Sequence, residues 1–496
     1  MSERTAQPER DLAGRAASGV AWGVAQKWVI RVTGFVTVAI LTRLLAPADF
    51  GVVAIALSLL PLVQLLSDLG FSTYLVQADR PTARSYSTAF WFSAVVGIVL
   101  GGLLVLVAPL VGLVLDTPEV VPVIYGLAPA ALLVTLGSVP LARLRREMRF
   151  RAIAVQAVVA GAVGQAIAIA IALMGLGVWA LVAQTLAYQA VATTLAWIAS
   201  GWRPAFAFSG AELDRMLRFG AKVIGVELVA LSRVWLENAI IVSALGTTGL
   251  GYLAIAQRLI QIAQDLTVSA LVPVSVVVFA QVRESVDRLR SGYLRAQAVS
   301  YAAVTPIMLV IAVGAPALIP VFFGDQWGPS VAPAQALAVA GILTLNALDQ
   351  GLLYGVGRPG LWFCYALVVD AVTILVTFLV APYGLLAVTI GFLCVAAAAT
   401  AARWILVGRV LETQWQRIAG PLVRVSLPAL CAAAAAIGVG MLTAGLPDWV
   451  TVLLLGVTVV VVYVPLVRLT LPVAWAELAR LTSALLRRIA RTRKES

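Results

Sequence analysis

The sequence contains no histidine, three cysteines and only 12% charged residues in 496 positions. Without an imidazole there is no histidine general base and no histidine-containing zinc site. Cys364, Cys394 and Cys431 lie inside apolar runs rather than at loop spacings, which argues against a disulfide framework. Acidic residues are scarce as well, 23 against 35 lysines and arginines, for a net charge of +12.

What is present is apolar. Hydrophobic residues make up 61% of the chain, beyond any soluble globular composition. They come in runs of about 20 residues, each long enough to cross about 30 Å of hydrocarbon as a helix. About fourteen such spans are expected, near 19–45, 50–76, 88–115, 121–142, 152–173, 177–200, 219–244, 250–280, 297–322, 331–355, 360–381, 384–408, 421–445 and 449–471. The polar stretch 1–15 runs straight into the first of them and is not expected to be a cleaved signal peptide.

Charge in the connections tests this reading. Arginine collects at 1–15, at 80–84, at Arg143, Arg145, Arg146, Arg149 and Arg151, at 203–218, at 283–295, at Arg358, at Arg409 and Arg417, and in the tail. The opposite connections hold Asp49, Asp116, Glu119, Asp325 and Asp448, with Arg43 alone nearby. By the positive-inside rule both termini are expected in the cytoplasm. The tail 472–496 places Trp475, Leu478, Leu481, Leu485 and Ile489 on one helical face among six basic side chains. It reads as an interfacial helix on the anionic cytoplasmic leaflet, so the positive charge calls for membrane lipid and not for nucleic acid.

The chain also repeats itself. Leu45, Gly51, Ala54-Ile55-Ala56 and Gln64 return as Leu245, Gly251, Ala254-Ile255-Ala256 and Gln264, and Gly177-Val178-Trp179-Ala180-Leu181 is echoed by Gly384-Leu385-Leu386-Ala387-Val388. Two parallel copies of a helical unit, each with charge in its first helices, follow the logic of a transporter. The expected organisation is a cytoplasmic segment 1–18, a six-helix lobe 19–200, a cytoplasmic linker 201–218, a second six-helix lobe 219–408, two further transmembrane helices within 421–471, and the basic tail.

Charge inside a span is costly unless it lines water or meets a partner. Lys27 and Arg31, at i and i+4 on span one, are candidate cavity cations; a pairing of Arg31 with Asp68 or Glu227 is the structural alternative. Span two carries Gln64 and Asp68 on the face of Pro61, which permits a kink. Asp68 is either an ion site or a partner for a span-one cation. On span seven, Arg233 and Glu237 either neutralise each other at i, i+4 or leave Arg233 for substrate. Gln257, Arg258, Gln261, Gln264 and Asp265 form one polar stripe on span eight, which cannot face lipid. Asn346 and Asp349 on span ten and Asp370 on span eleven complete the candidates, as cavity groups or as interhelical hydrogen-bond partners.

The motif Ala39-Ile40-Leu41-Thr42-Arg43-Leu44-Leu45-Ala46-Pro47-Ala48-Asp49-Phe50-Gly51, followed by Asp68-Leu69-Gly70-Phe71 and Gln77, resembles the N-terminal signature of Wzx-type polysaccharide flippases, within the multidrug/oligosaccharidyl-lipid/polysaccharide exporter superfamily. Leu245-Gly246 through Leu259 is similarly typical. The resemblance implies an all-α polytopic membrane protein in the bacterial inner membrane. Two six-helix lobes would surround a cavity with pseudo-two-fold symmetry, with two C-terminal helices added. It implies a polyprenyl-pyrophosphate oligosaccharide as substrate, its pyrophosphate held by cavity cations at Arg31 and Arg258. Lys27 and Arg233 join them on the residue reading alone. A proton or sodium ion as coupling ion and a polysaccharide polymerase as partner stay open, and no cofactor or metal is expected. An antiporter for organic cations would want a net acidic cavity, whereas the mid-span cations favour an anionic substrate. A glycan polymerase or acyltransferase would need a catalytic constellation near one membrane face, and the short external loops show none.

Overall fold

The computed structural model describes residues 3–69, 71–77, 81–268, 279, 285–345, 347–443 and 445–480. Among them every regular element is helical. The first are α1 (Glu3–Leu44), α2 (Pro47–Ser58), α3 (Leu60–Asp68), α4 (Phe71–Gln77), α5 (Ala83–Val114), α6 (Val120–Arg146), α7 (Phe150–Leu173) and α8 (Trp179–Ser200). A long α9 (Gly210–Val268) follows, then α10 (Val286–Phe323), α11 (Val331–Leu343), α12 (Ala347–Gly355), α13 (Pro359–Val380), α14 (Leu385–Val410), α15 (Trp415–Leu442) and α16 (Asp448–Thr470).

Twelve helices among the described residues are long and apolar enough to cross a membrane. α1 is not among the twelve. α9 is counted once, over Leu231–Gln264, although it contains the seventh expected span and the eighth as far as Val268. Those two spans meet at Gly246, where φ 71° and ψ 178° break the helix in a region that glycine enters without steric cost. Apolar side chains point outward along the spans, Leu106 77%, Leu113 78% and Leu442 86% exposed. Such a surface suits hydrocarbon rather than water.

The shape of the entry turn has a local cause in each residue. Pro47 opens α2 at its first position, where a missing N–H costs nothing. The Ala46 N–H donates to Asp49 Oδ2 at 3.1 Å, so the third-position carboxylate caps backwards onto the turn. Gly51 then allows close approach: a Cβ there would lie 1.8 Å from the Thr247 carbonyl oxygen, and one on Gly251 would lie 2.0 Å from that of Pro47. Pro47 and Thr247 stand 200 residues apart, as do Gly51 and Gly251. Each repeated glycine therefore packs on the other copy's entry turn.

By its contacts the chain divides into two compact units, Met1–Gly251 and Tyr252–Ser496. In the first, α6 packs against α2, α3, α4, α5 and α8, and α7 joins α8 to α1. In the second, α10 packs against α11, α15 and α16, while α14 contacts α11, α13 and α15. The pairings α5–α6, α7–α8 and α6–α8 recur as α10–α11, α13–α14 and α11–α14. The hydrogen bonds between the equivalent helices are similar without being equivalent, since the donor Thr400 matches Thr193 while its acceptor matches that of Trp197. Thr193 and Trp197 of α8 donate to the Leu133 and Leu136 carbonyls of α6 at 2.7 and 2.9 Å. Thr400, 207 residues after Thr193, donates to the Leu343 carbonyl, 207 residues after Leu136, at 2.9 Å.

The stretch 201–209 is bound to α5. Ala205 and Ser209 N–H groups donate to Ser87 and Thr88 hydroxyls, and Trp91 Nε1 and Arg84 donate to the Ala205 and Phe208 carbonyls. Phe90, Trp197 and Trp202 pack edge-on and stacked beside it.

Candidate functional site

On α1, Lys27 is exposed and Arg31 half-buried, one turn apart, and the adjoining Trp28, Val29 and Val32 are exposed as well. The exposed face of α1 is thus apolar with a cationic strip.

Pro61 has no N–H to offer the Leu57 carbonyl, and the helix is interrupted at Leu59 between α2 and α3, the kink expected from the sequence. Gln64 is exposed on α3. At the end of α3, Leu69 turns left-handed (φ 42°), and the Asp68 carboxylate accepts from Ser72 N–H at 3.1 Å and from its hydroxyl at 2.6 Å. Asp68 thereby ties α3 to α4.

In the first part of α9 the self-neutralising alternative forms: Arg233 Nη1 donates to Glu237 Oε2 at 2.6 Å, with Glu237 7% exposed. Beyond the Gly246 break the stripe separates cleanly. Ile255, Ala256, Leu259, Ile260 and Ala263 are buried, Gln257 and Gln264 are half-buried, and Arg258 and Gln261 are exposed. A guanidinium and a carboxamide one turn apart thus stand clear of the packed face. A planar donor fork in that position suits the oxygens of a phosphate.

Span ten departs most from the sequence reading. Instead of one helix it is α11 and α12, with Thr344 and Leu345 outside helix between them. A helix end leaves carbonyls without partners, and here Leu343 O is taken by Thr400 Oγ1 and Arg403 Nη2, both at 2.9 Å. Arg403, 2% exposed, lies with Nε 3.3 Å from Oδ2 of Asp349, itself 1% exposed, and the Tyr293 hydroxyl donates to Asp349 Oδ1. Asp349 is therefore held inside the second unit by α14 and α10, away from solvent. Sequence reasoning missed Arg403 and Tyr293. A lone arginine within the apolar run of α14 was the available signal.

Asp370 is half-buried on α13. Asn346 and the side chains of Glu227 and Asp265 lie outside the described residues, and no cluster of histidine, cysteine or carboxylate groups able to hold a metal occurs among the described ones.

A family model described as polysaccharide biosynthesis protein matches residues 40–332. The succinoglycan biosynthesis transport protein ExoT of Rhizobium meliloti is 30% identical over 70% of this chain and 71% of its own length. The lipopolysaccharide biosynthesis protein WzxC of Escherichia coli is 24% identical over 77% of this chain and 78% of its own. Among solved structures, the lipid II flippase MurJ in its inward closed conformation superposes with a TM-score of 0.71 at 12% identity, covering 91% of this chain and 98% of that one. At that identity the likeness shows the fold. With its repeated helical unit and its Pro47–Gly51 entry turn, this multi-pass membrane chain belongs to the polysaccharide biosynthesis protein family.

Proposed function

We propose that the protein is a flippase that carries polyprenyl-pyrophosphate-linked oligosaccharide from the cytoplasmic to the outer leaflet for cell-surface polysaccharide assembly. The observation that carries this reading is the exposed Arg258–Gln261 face on an otherwise buried apolar helix. It belongs to a chain whose relatives are named for the transport or biosynthesis of succinoglycan and lipopolysaccharide. Unaided, the head group would have to shed water from sugar hydroxyls and phosphate charge. A hydrated, cationic path removes most of that cost while the prenyl tail stays in lipid.

In this reading Arg31, Lys27 and Arg258 meet the pyrophosphate, while Arg233 is held by Glu237. Both termini lie in the cytoplasm, following the arginine bias, and the lobes are 19–200 and 219–408. An interior-negative potential favours outward movement by about 2.3 kcal/mol per negative charge per 100 mV. A proton or sodium ion couples at the polar groups of α3 and α9, and a polymerase receives the product. No catalytic step is involved.

The test is delivery of labelled lipid-linked oligosaccharide to the outer leaflet in proteoliposomes, comparing wild type with Arg31→Ala and Arg258→Ala at matched levels. Flipping by wild type and its loss in the folded variants is expected. Normal flipping by both variants would make these arginines structural. Export of an organic cation with no flipping by wild type would replace the reading with that of an antiporter.

A further inference from the structure

The first turn of α7 has no side-chain acceptor over its backbone donors. Its N-cap is Arg149, which supplies no side-chain acceptor. The N–H groups of a first turn have no intrahelical partners and carry the positive end of the helix dipole. Around this end lies an open cavity of about 570 Å³ lined by Arg149, Arg151, Val155, Gln156, Leu195 and Ile198 among others, none of them acidic.

Arg149 uses one N–H on the Ala199 carbonyl at 2.6 Å. Glu147 stands between two arginines, its Oε1 2.7 Å from Arg143 Nε and its Oε2 3.9 Å from Arg149 Nη1, so Arg149 keeps its second terminal nitrogen for a ligand. Arg151 lies over the Trp22 ring, its Cζ 5.6 Å from the centroid, a cation–π contact that uses none of its N–H donors on a carboxylate. Gln156 is 8% exposed and its buried Oε1 has no hydrogen-bond partner. Such an atom is left to a donor that the neighbouring side chains do not supply, a water or a ligand group. Val155 and Ile198, 46% and 71% exposed, supply an apolar wall. Cations, helix amides, an unpartnered acceptor and a greasy wall together match one chemistry: a phosphodiester whose head carries a hydrogen-bond donor and whose other end is an acyl chain.

We propose that this cavity binds an anionic glycerophospholipid of the bilayer. The phosphate sits on Arg149, Arg151 and the first-turn amides of α7. A head-group hydroxyl donates to Gln156 after a small side-chain rotation, and an acyl chain follows Val155 and Ile198. The topology proposed above would place this cavity at the cytoplasmic leaflet; the binding itself does not rest on it.

Native mass spectrometry of the detergent-purified protein tests this with phosphatidylglycerol, phosphatidylcholine and a polyprenyl pyrophosphate as probes. Wild type is expected to retain phosphatidylglycerol over phosphatidylcholine. Retention should fall about fivefold for each of Arg149→Gln and Arg151→Gln, the factor corresponding to about 1 kcal/mol per basic residue at a membrane surface. Val155→Trp, which fills the apolar slot from an exposed position, should abolish retention with an unchanged melting temperature. Equal retention by wild type and Val155→Trp, or no preference over phosphatidylcholine, overturns the proposal. So does preferential retention of the polyprenyl pyrophosphate. The readout needs no transport, so its failure and a failure of flipping are separable.

Discussion

At the scale of the residue, the Asp349–Arg403 pair shows what burial demands. Both side chains are all but inaccessible, and either one alone would be a buried charge without a counter-ion. Removing one partner of such a pair costs about 3–5 kcal/mol, whereas an apolar replacement of both is often neutral. Asp349→Leu and Arg403→Met should each lower the unfolding temperature in detergent strongly, and the double substitution should recover much of the loss. Equal destabilisation by the double change would mean that Arg403 matters for the Leu343 carbonyl rather than for the charge. Arg233 and Glu237 offer a local case, an i, i+4 pair in which the arginine is partly exposed and the carboxylate buried. The sequence exposed Asp349 as an intramembrane carboxylate but was silent on its partner. Arg403 is 54 positions away and meets it only because α14 packs against the break between α11 and α12.

At the scale of the element, helix crossings and caps explain the motifs. The reciprocal contacts of Gly51 and Gly251 leave no room for a side chain, because the obstructing atoms are backbone. Gly51→Ala and Gly251→Ala should each reduce folded yield sharply by size-exclusion chromatography. Gly102→Ala on α5, with nothing within 4 Å, should be neutral or stabilising by up to about 1 kcal/mol. Trp197→Phe removes the donor to Leu136 while keeping the ring and should cost about 1 kcal/mol in thermal unfolding. Trp404→Phe should cost less, because Trp404 Nε1 has no acceptor among the described residues; the Leu343 carbonyl at the equivalent place is already taken. The motif around Pro47 was visible from the residues alone, as was the Pro61 kink. The interruption at Thr344 and Leu345 was not, since neither position holds proline or glycine.

At the scale of the whole molecule, the outward apolar surface places the protein in hydrocarbon. Cys364, Cys394 and Cys431 are all free and exposed on helices α13, α14 and α15. In membranes they should react with an uncharged maleimide and resist a charged, membrane-impermeant thiol reagent. Rapid reaction of all three with the charged reagent would place these faces in water. What the amino-acid sequence determined by itself was everything that depends on near neighbours along the chain. That includes span length, the bias of arginine between alternate connections, the polar stripe from Gln257 to Gln264, the proline kink and the duplication. Helical periodicity and the solvation cost of charge act within one helix and need no knowledge of the others. Only the tertiary structure decided which polar groups are spent. Where the sequence left alternatives, it settled Asp68 on Ser72 and Glu237 on Arg233, each four residues away; it alone brought Asp349 to Arg403 and Tyr293, and it left Arg258 and Gln261 exposed. In an apolar interior each polar group must find a partner, and in the case of Asp349 that partner came from helices distant in sequence.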